Sequence, residues 1–346
     1  MAEEVWMLQT KKADFKQIGA RFRIDPVTAR IIRNRGIEGE AAIDRYLNGT
    51  LDDLYDPMLL KDMERAVSIL CEAVDTGKKI RIVGDYDIDG VCSTYILLQA
   101  FERLGSDVDF EIPDRIKDGY GINESIIEQA HADGVEVILT CDNGISAFHQ
   151  VELAKKYGMT VVITDHHEVP LDGEKEKIPP ADAVIDPKQA DCPYPFPEIC
   201  GAVVAYKLVQ VLYARRGVPQ MEWLDLLEFA AIATVGDVMK LQDENRILVK
   251  YGLKKMAQTK NLGLRRLAEK NNLDLGAITA YHIGFVIGPC LNAGGRLKTA
   301  KEALALLRAQ SEEEAERLAE ELKELNDTRK DMTEQGTEAA KLQVES

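Results

Sequence analysis

The chain has 346 residues, of which 45% are hydrophobic and 29% charged, and a formal net charge of −16. That length allows two domains, or one large domain with appendages, and the composition is ordinary for a globular protein. No run of about 18 apolar residues exists to cross a bilayer. The start, MAEEVWMLQTKK, lacks the basic-then-apolar layout of a signal peptide, so a cytoplasmic location is expected.

The acidic balance is weak evidence about a nucleic-acid partner, because it is uneven. Ser311 to Ser346 holds 12 acids and 5 bases, a net of −7, which leaves −9 for everything before. Cations bound to an acidic catalytic cluster would neutralise part of the remainder. The six cysteines, at positions 71, 92, 141, 192, 200 and 290, form no C-x-x-C pair. They read as reduced thiols and not as a disulfide frame or a zinc site.

Residues 1 to about 75 read as helical and connective, with helical spacing over Thr28 to Arg33, Ala41 to Leu47 and Met63 to Val74. From Lys79 the rhythm changes. Strands are expected at 79–84, 107–112, 135–141, 160–164 and 182–185, and helices at 91–104, 124–132, 146–157 and 199–215. Such alternation predicts an α/β fold, a parallel sheet flanked by helices. The second half is mostly helical, over Trp223 to Val235, 245–257, 262–270 and 299–309. From Ser311 onward Ala315, Leu318, Leu322 and Leu325 recur at helical spacing among charges, an amphipathic helix that needs a surface to pack on. The expected division is a helical N-terminal segment (1–75), a catalytic domain (76–310) and the start of a long connecting helix (311–346).

The chemistry concentrates where strands end. The stretch KIRIVGDYDIDGVCSTY sets Asp85, Asp87 and Asp89 at alternate positions before Gly90, a crowding of carboxylates that repels itself unless a cation intervenes. A calcium EF-hand begins D-x-D-x-D-G but needs a bidentate Glu at its twelfth position and a helix leading in. Here the twelfth residue is Ile96 and the lead-in, Ile80 to Val83, is strand-like, so that reading fails. The strand VEVILT delivers Asp142 in CDNG, TVVIT delivers Asp165, His166 and His167, and ATVGDV carries Asp237. Any one acid after a strand reads equally well as a helix cap or turn residue. Acids at successive strand ends, where open parallel sheets bind ligands, point jointly to a metal site. A mainly oxygen set with imidazole suits Mn²⁺ or Mg²⁺, and so many carboxylates suit two divalent ions about 4 Å apart, which activate water for in-line displacement at phosphorus.

These residues resemble the DHH phosphoesterase superfamily, named for the triplet matched by Asp165-His166-His167. Within it the chain is similar to the RecJ family of single-strand-specific 5′→3′ exonucleases, through RNRGI, YDPMLLKDMERAV, GDYDIDG, IPDRIKDGYGIN, TCDNGISA, TDHH, GAVVAYKL, ATVGDV and IGPCLNAGGRL. The resemblance covers nearly the whole chain. It implies Asp85, Asp87, Asp142, His166 and Asp237 as metal ligands, with Asp142 bridging. It implies Asp165 as a catalytic supporting acid that ligates or orients His166, and Asp89 as a residue that shapes the loop or caps the following helix. His167 is implied to face the scissile phosphate and balance charge or assist proton transfer. Arg115 and Arg296 match phosphate-gripping positions, joined by Ser93 and Thr94 at the opening of the first helix and by Asn292.

The sequence departs from the family at Ile88, Asp114 and Gly294, and Cys290 stands where an Arg is common, so one phosphate contact is expected to be missing. The resemblance further implies single-stranded DNA as substrate, in DNA repair and recombination. It implies a single-strand-binding protein or helicase as partner, and no membrane. Full-length relatives continue past the connecting helix into a second phosphoesterase-associated domain and an oligonucleotide-binding barrel; this chain stops inside that helix and is expected to be a nuclease core with part of its substrate clamp. Two other functions compete. One is a DHH phosphatase or phosphodiesterase acting on short oligonucleotides or cyclic dinucleotides, and the other is an inactive nucleic-acid-binding scaffold.

Overall fold

The computed structural model describes residues 7, 11–115, 119 and 121–345. Most of MAEEVWMLQTKK, and Ile116, Lys117, Asp118 and Tyr120 of IPDRIKDGYGIN, lie outside them.

Five strands form a parallel sheet: β1 (Ile80–Val83), β2 (Val108–Glu111), β3 (Val137–Cys141), β4 (Thr160–Thr164) and β7 (Ala183–Ile185). Their order is β2-β1-β3-β4-β7. The chain runs outward from β1 to β2, then crosses back to place β3 on the other side of β1, so the sheet reverses direction between β1 and β3. Central strands of a parallel sheet are covered on both faces and read as unbroken apolar runs. β1 and β3 are buried at every residue. Arg81 in β1 is the charged exception, and its guanidinium forks onto Asp109 at 2.7 and 2.8 Å and reaches Asp133 at 2.8 Å. A two-residue hairpin that the sequence did not suggest, β5 (Leu171–Asp172) with β6 (Lys175–Glu176), lies between β4 and β7.

One face of the sheet packs Val83, Ile138, Ile163 and Val184 against the helices Glu124–Ala132 and Phe148–Lys156. The other carries the larger core, with the helices Met63–Asp75, Ile88–Arg103, Gly201–Arg216 and Leu227–Gly236. The α/β architecture is as expected. The helix expected from Trp223 to Val235 is instead two, Gln220–Leu224 and Leu227–Gly236, because the chain turns at Asp225 and Leu226. Lys255 and Lys260 both pair with Asp225 there.

Among the helices of the larger core lies a buried ionic cluster. Lys207, 1% exposed, reaches Glu244 at 3.1 Å and donates to the carbonyl of Tyr55 at 3.1 Å, while Tyr194 donates its hydroxyl to the other Glu244 oxygen. Tyr55 in turn donates to Asp243, which pairs with Arg45. The N-terminal helix Glu40–Asn48, which carries Arg45, is tied to the sheet domain through this chain of contacts.

The C-terminal helix, Glu312–Glu345, buries Ala315, Leu318, Ala319, Leu322 and Asn326 and pairs Glu312, Glu316 and Glu320 with Arg266 and Lys270. No helix of the described residues is long and apolar enough to cross a membrane.

Candidate metal centre

The carboxyl ends of β1, β3, β4 and β7 meet beside the point where the sheet reverses, which is where open α/β sheets hold ligands. After β1, Asp85 is 1% exposed and accepts from the Gly121 amide at 3.4 Å. Asp87 caps the Ile88–Arg103 helix, accepting from the amides of Asp89 (2.9 Å) and Gly90 (3.1 Å). After β3, Asp142 adopts a left-handed backbone, φ 62°, with its side chain buried. Asn143 beside it donates to the carbonyls of Val83 and Cys141 and accepts from Ile122, which locks the β1 and β3 loops together.

After β4, the His166 Nε2 atom lies 3.1 Å from Asp142 Oδ1, 3.4 Å from Asp89 Oδ2 and 3.9 Å from Asp237 Oδ2. Asp237 arrives from the C-terminal end of the Leu227–Gly236 helix. Ligand atoms of Asp85, Asp87 and Asp142 lie within 4.8 Å of one another, as do those of Asp89, His166 and Asp237, and those of Asp142, His166 and His167. Asp142 belongs to two of these groups, and so does His166.

The electrostatics are those of a site built for cations. Burial, then the charge of Asp87, pushes the Asp85 carboxyl up to about 7. Burial, then Asp89 and Asp87, does the same to Asp237, and burial with four neighbouring acids drives Asp142 well above the carboxylate range. No lysine or arginine pairs with Asp85, Asp87, Asp89 or Asp237 among the described residues. Burial lowers His166, against the pull of Asp89, and so favours the neutral imidazole that a metal requires. Carboxylate oxygens and one neutral imidazole, with surplus negative charge and no thiol among them, fit divalent Mn²⁺ or Mg²⁺.

Three expectations change. Asp89 does not cap its own helix, since Asp87 does. Its two oxygens instead accept from the amides of Gly201 (2.6 Å) and Ala202 (2.7 Å), fixing the start of the Gly201–Arg216 helix beneath the site. Asp165 holds the imidazole of His167, not that of His166: its Oδ1 lies 2.7 Å from His167 Nδ1 and touches His166 only through the backbone amide. Ser93 and Thr94 are fully buried and donate into their own helix, to the carbonyls of Asp89 and Gly90 at 2.7 Å. The helix begins five residues before Ser93, so neither offers a free amide or a reachable hydroxyl to phosphate. Cys290 is buried near Asn271 and Asn326.

Burial opposes protonation of His167, but the hydrogen bond and charge of Asp165 outweigh it and raise the imidazole to about 9. Asp165 itself, though burial pushes it up, is held below the usual range by its bonds with His167. Arg115, Asn292 and Arg296 line a cleft of about 280 Å³ together with Asp87 and Asp237. Arg115 lies 5.3 Å over the Tyr86 ring, and among the described residues neither arginine has an ion-pair partner. The helix carrying Asn292 and Arg296 approaches because Gly295 has no side chain, its Cα sitting against the carbonyl of Tyr86.

Sequence reasoning passed over Asp186, the acid after β7. Fully buried, it accepts from the Lys188 amide at 2.8 Å and is raised to about 7 by burial and by Asp165. The signal was available, since AVI-D repeats the strand-then-acid pattern of the other edges.

Residues 79–234 match the model of the DHH family, N-terminal domain. The single-stranded-DNA-specific exonuclease RecJ of Bacillus subtilis is 37% identical over 341 residues, 98% of this chain and 42% of that protein. A solved exonuclease RecJ bound to manganese is 35% identical, with a TM-score of 0.72 over 80% of this chain and 68% of its own. RecJ of Thermus thermophilus in complex with Mn²⁺ is 32% identical, with a TM-score of 0.76 over 92% of this chain and 44% of its own. The chain belongs to the RecJ family of DHH proteins. It spans about half the length of the curated relatives it matches.

Proposed function

We propose that this chain is a metal-dependent nuclease core that hydrolyses phosphodiester bonds of single-stranded DNA from the 5′ end. The observation that supports this most is the convergence of Asp85, Asp87, Asp142, His166 and Asp237 beside a cleft holding two arginines that have no ion-pair partner among the described residues. The five side chains would hold two divalent cations, Mn²⁺ or Mg²⁺, with Asp142 shared. When bound, such a pair supplies an activated water and stabilises both oxygens of an in-line displacement at phosphorus.

The remaining work falls to the chain itself. Arg115 and Arg296 grip phosphate oxygens through guanidinium forks, and Asn292 donates beside them. His167, held protonated by Asp165, donates to the phosphate or to the departing 3′ oxygen. We assign the division into 1–75, 76–310 and 311–346, a cytoplasmic setting, a role in DNA repair and recombination, and a single-strand-binding protein or helicase as partner on the same footing.

The test is direct. Purified chain with Mn²⁺ is incubated with a 5′-phosphorylated single-stranded 20-mer, the matching duplex and a dinucleotide. Mononucleotides released from the single strand support the reading. Turnover of the dinucleotide alone points to a small-substrate phosphodiesterase, and metal uptake without any turnover to a binding scaffold.

A further inference from the structure

The helix that carries Asn292 and Arg296 does not begin at the cleft. It runs unbroken from Ala280–His282 through a π-helical turn, Ile283–Ile287, into Gly288–Leu297. Its inner residues Ile283, Ile287, Cys290 and Leu291 are buried, and it packs at Gly284 against Val235 on the helix that delivers Asp237. Its outer stripe, at steps of four, four, three and four, is Tyr281, Phe285, Pro289, Asn292 and Arg296. Residues at that spacing share one face.

At the far end of this stripe, Tyr281 and Phe285 are 64% and 68% exposed, the two most exposed aromatic rings among the described residues. Their centroids are 4.8 Å apart and the planes differ by 26°, so they stack on each other with their outer faces in solvent. π-Turns are rare and recur at functional sites, because the extra residue re-aims the side chains of the turn. Phe285 lies eleven residues from Arg296, about 16 Å along the axis at 1.5 Å per residue.

The geometry points to a nucleobase-stacking platform: Tyr281 and Phe285 receive bases of the single strand a few nucleotides beyond the phosphate held at Arg296. This deepens the nuclease reading and rests on it. Aromatic faces bind bases of any sequence, which suits a strand that must slide toward the metal centre. The continuity of the stripe with Asn292 and Arg296 is what selects a strand over another occupant of the rings.

Binding of oligonucleotides of two to twelve nucleotides, phosphorothioate-linked to resist cleavage and carrying 2-aminopurine at successive positions, is measured on the full chain with Mn²⁺. Affinity is expected to step up once the oligonucleotide reaches the rings, with 2-aminopurine fluorescence quenched at those positions. The Tyr281→Ala/Phe285→Ala double variant should lose both the step and the quenching, with long oligonucleotides bound roughly tenfold or more weakly. The Tyr281→Trp/Phe285→Trp variant should keep both.

Wild-type affinity and quenching in the alanine variant overturn the platform and leave the rings to another protein segment. Hydrolysis of ordinary DNA is assayed separately. Step and quenching without hydrolysis uphold the platform while refuting the nuclease reading. Hydrolysis without them does the reverse.

Discussion

Two of the buried charge groups among the described residues, one around Glu244 and one at the carboxyl ends of the strands, are built on opposite plans. Around Glu244, each charge has its answer: Lys207 faces Glu244, Tyr194 donates to the same carboxylate, and the Lys207 ammonium also meets a backbone carbonyl. At the sheet edge, burial and then the charges of neighbouring acids, Asp87 and Asp89 chief among them, raise the proton affinity of Asp85, Asp87, Asp142 and Asp237. A self-compensated cluster fixes how elements pack. A cluster dominated by like charges departs from the ordinary rule that buried charges are offset by opposite ones, and such departures mark function.

The largest expected effect comes from removing Asp142, the acid proposed as the bridge. Asp142→Ala should abolish uptake of both cations, seen as loss of both sites in a calorimetric Mn²⁺ titration, with turnover falling below detection. If a full-strength site survived, the bridging role would be lost. The paired cluster should respond differently. Lys207→Met leaves Glu244 buried without its cation and should cost about 3–5 kcal/mol in urea unfolding. Adding Glu244→Leu should recover most of that, with the Mn²⁺ titration unchanged throughout.

A smaller effect separates the two by pH. Folded-state pKa values of about 7 for Asp85 and Asp237 lie above their ordinary values. Metal-free stability is therefore fullest below the ordinary carboxylate range and is lost as pH rises through 7. Cations reverse the trend by displacing those protons. The rise in Tm on adding Mn²⁺ should therefore grow from pH 6 to pH 8, reaching the equivalent of about 2.7 kcal/mol at a hundred times Kd. A rise independent of pH would mean the acids do not hold the ion.

Much of this was legible in the residues. Short β-branched runs such as Ile80–Val83 and Thr160–Thr164 can bury both faces only inside a sheet, so the strands and their acid-bearing ends were readable. What escaped depends on distance in space. GDYDIDG offers three carboxylates at equal spacing, and nothing local says that Asp87 caps its own helix while Asp89 reaches across to Gly201 and Ala202. Likewise DHH does not reveal which histidine Asp165 holds. Ser93 and Thr94 looked like phosphate ligands because a hydroxyl near a helix start is ambiguous until burial is known. The Lys207–Glu244 pair, two ordinary charges 37 positions apart, left no trace in the pattern.

The left-handed backbone of Asp142 carries one more implication. A Cβ at Gly201 would lie 2.7 Å from that of Asp142, so Asp142 is pressed against a helix start that Asp89 pins in place. Asp237 hangs from a helix end, its side chain 31% exposed. One wall of the centre is thus fixed and the other can give. A cation of larger ionic radius, such as Ca²⁺ with bonds of about 2.3–2.6 Å against about 2.0–2.1 Å for Mg²⁺, must then be accommodated by displacing Asp237. That displacement would occur beside the cleft that Asp237 lines with Arg115 and Arg296, so on the proposed function an oversized ion should be tolerated in binding and penalised in turnover.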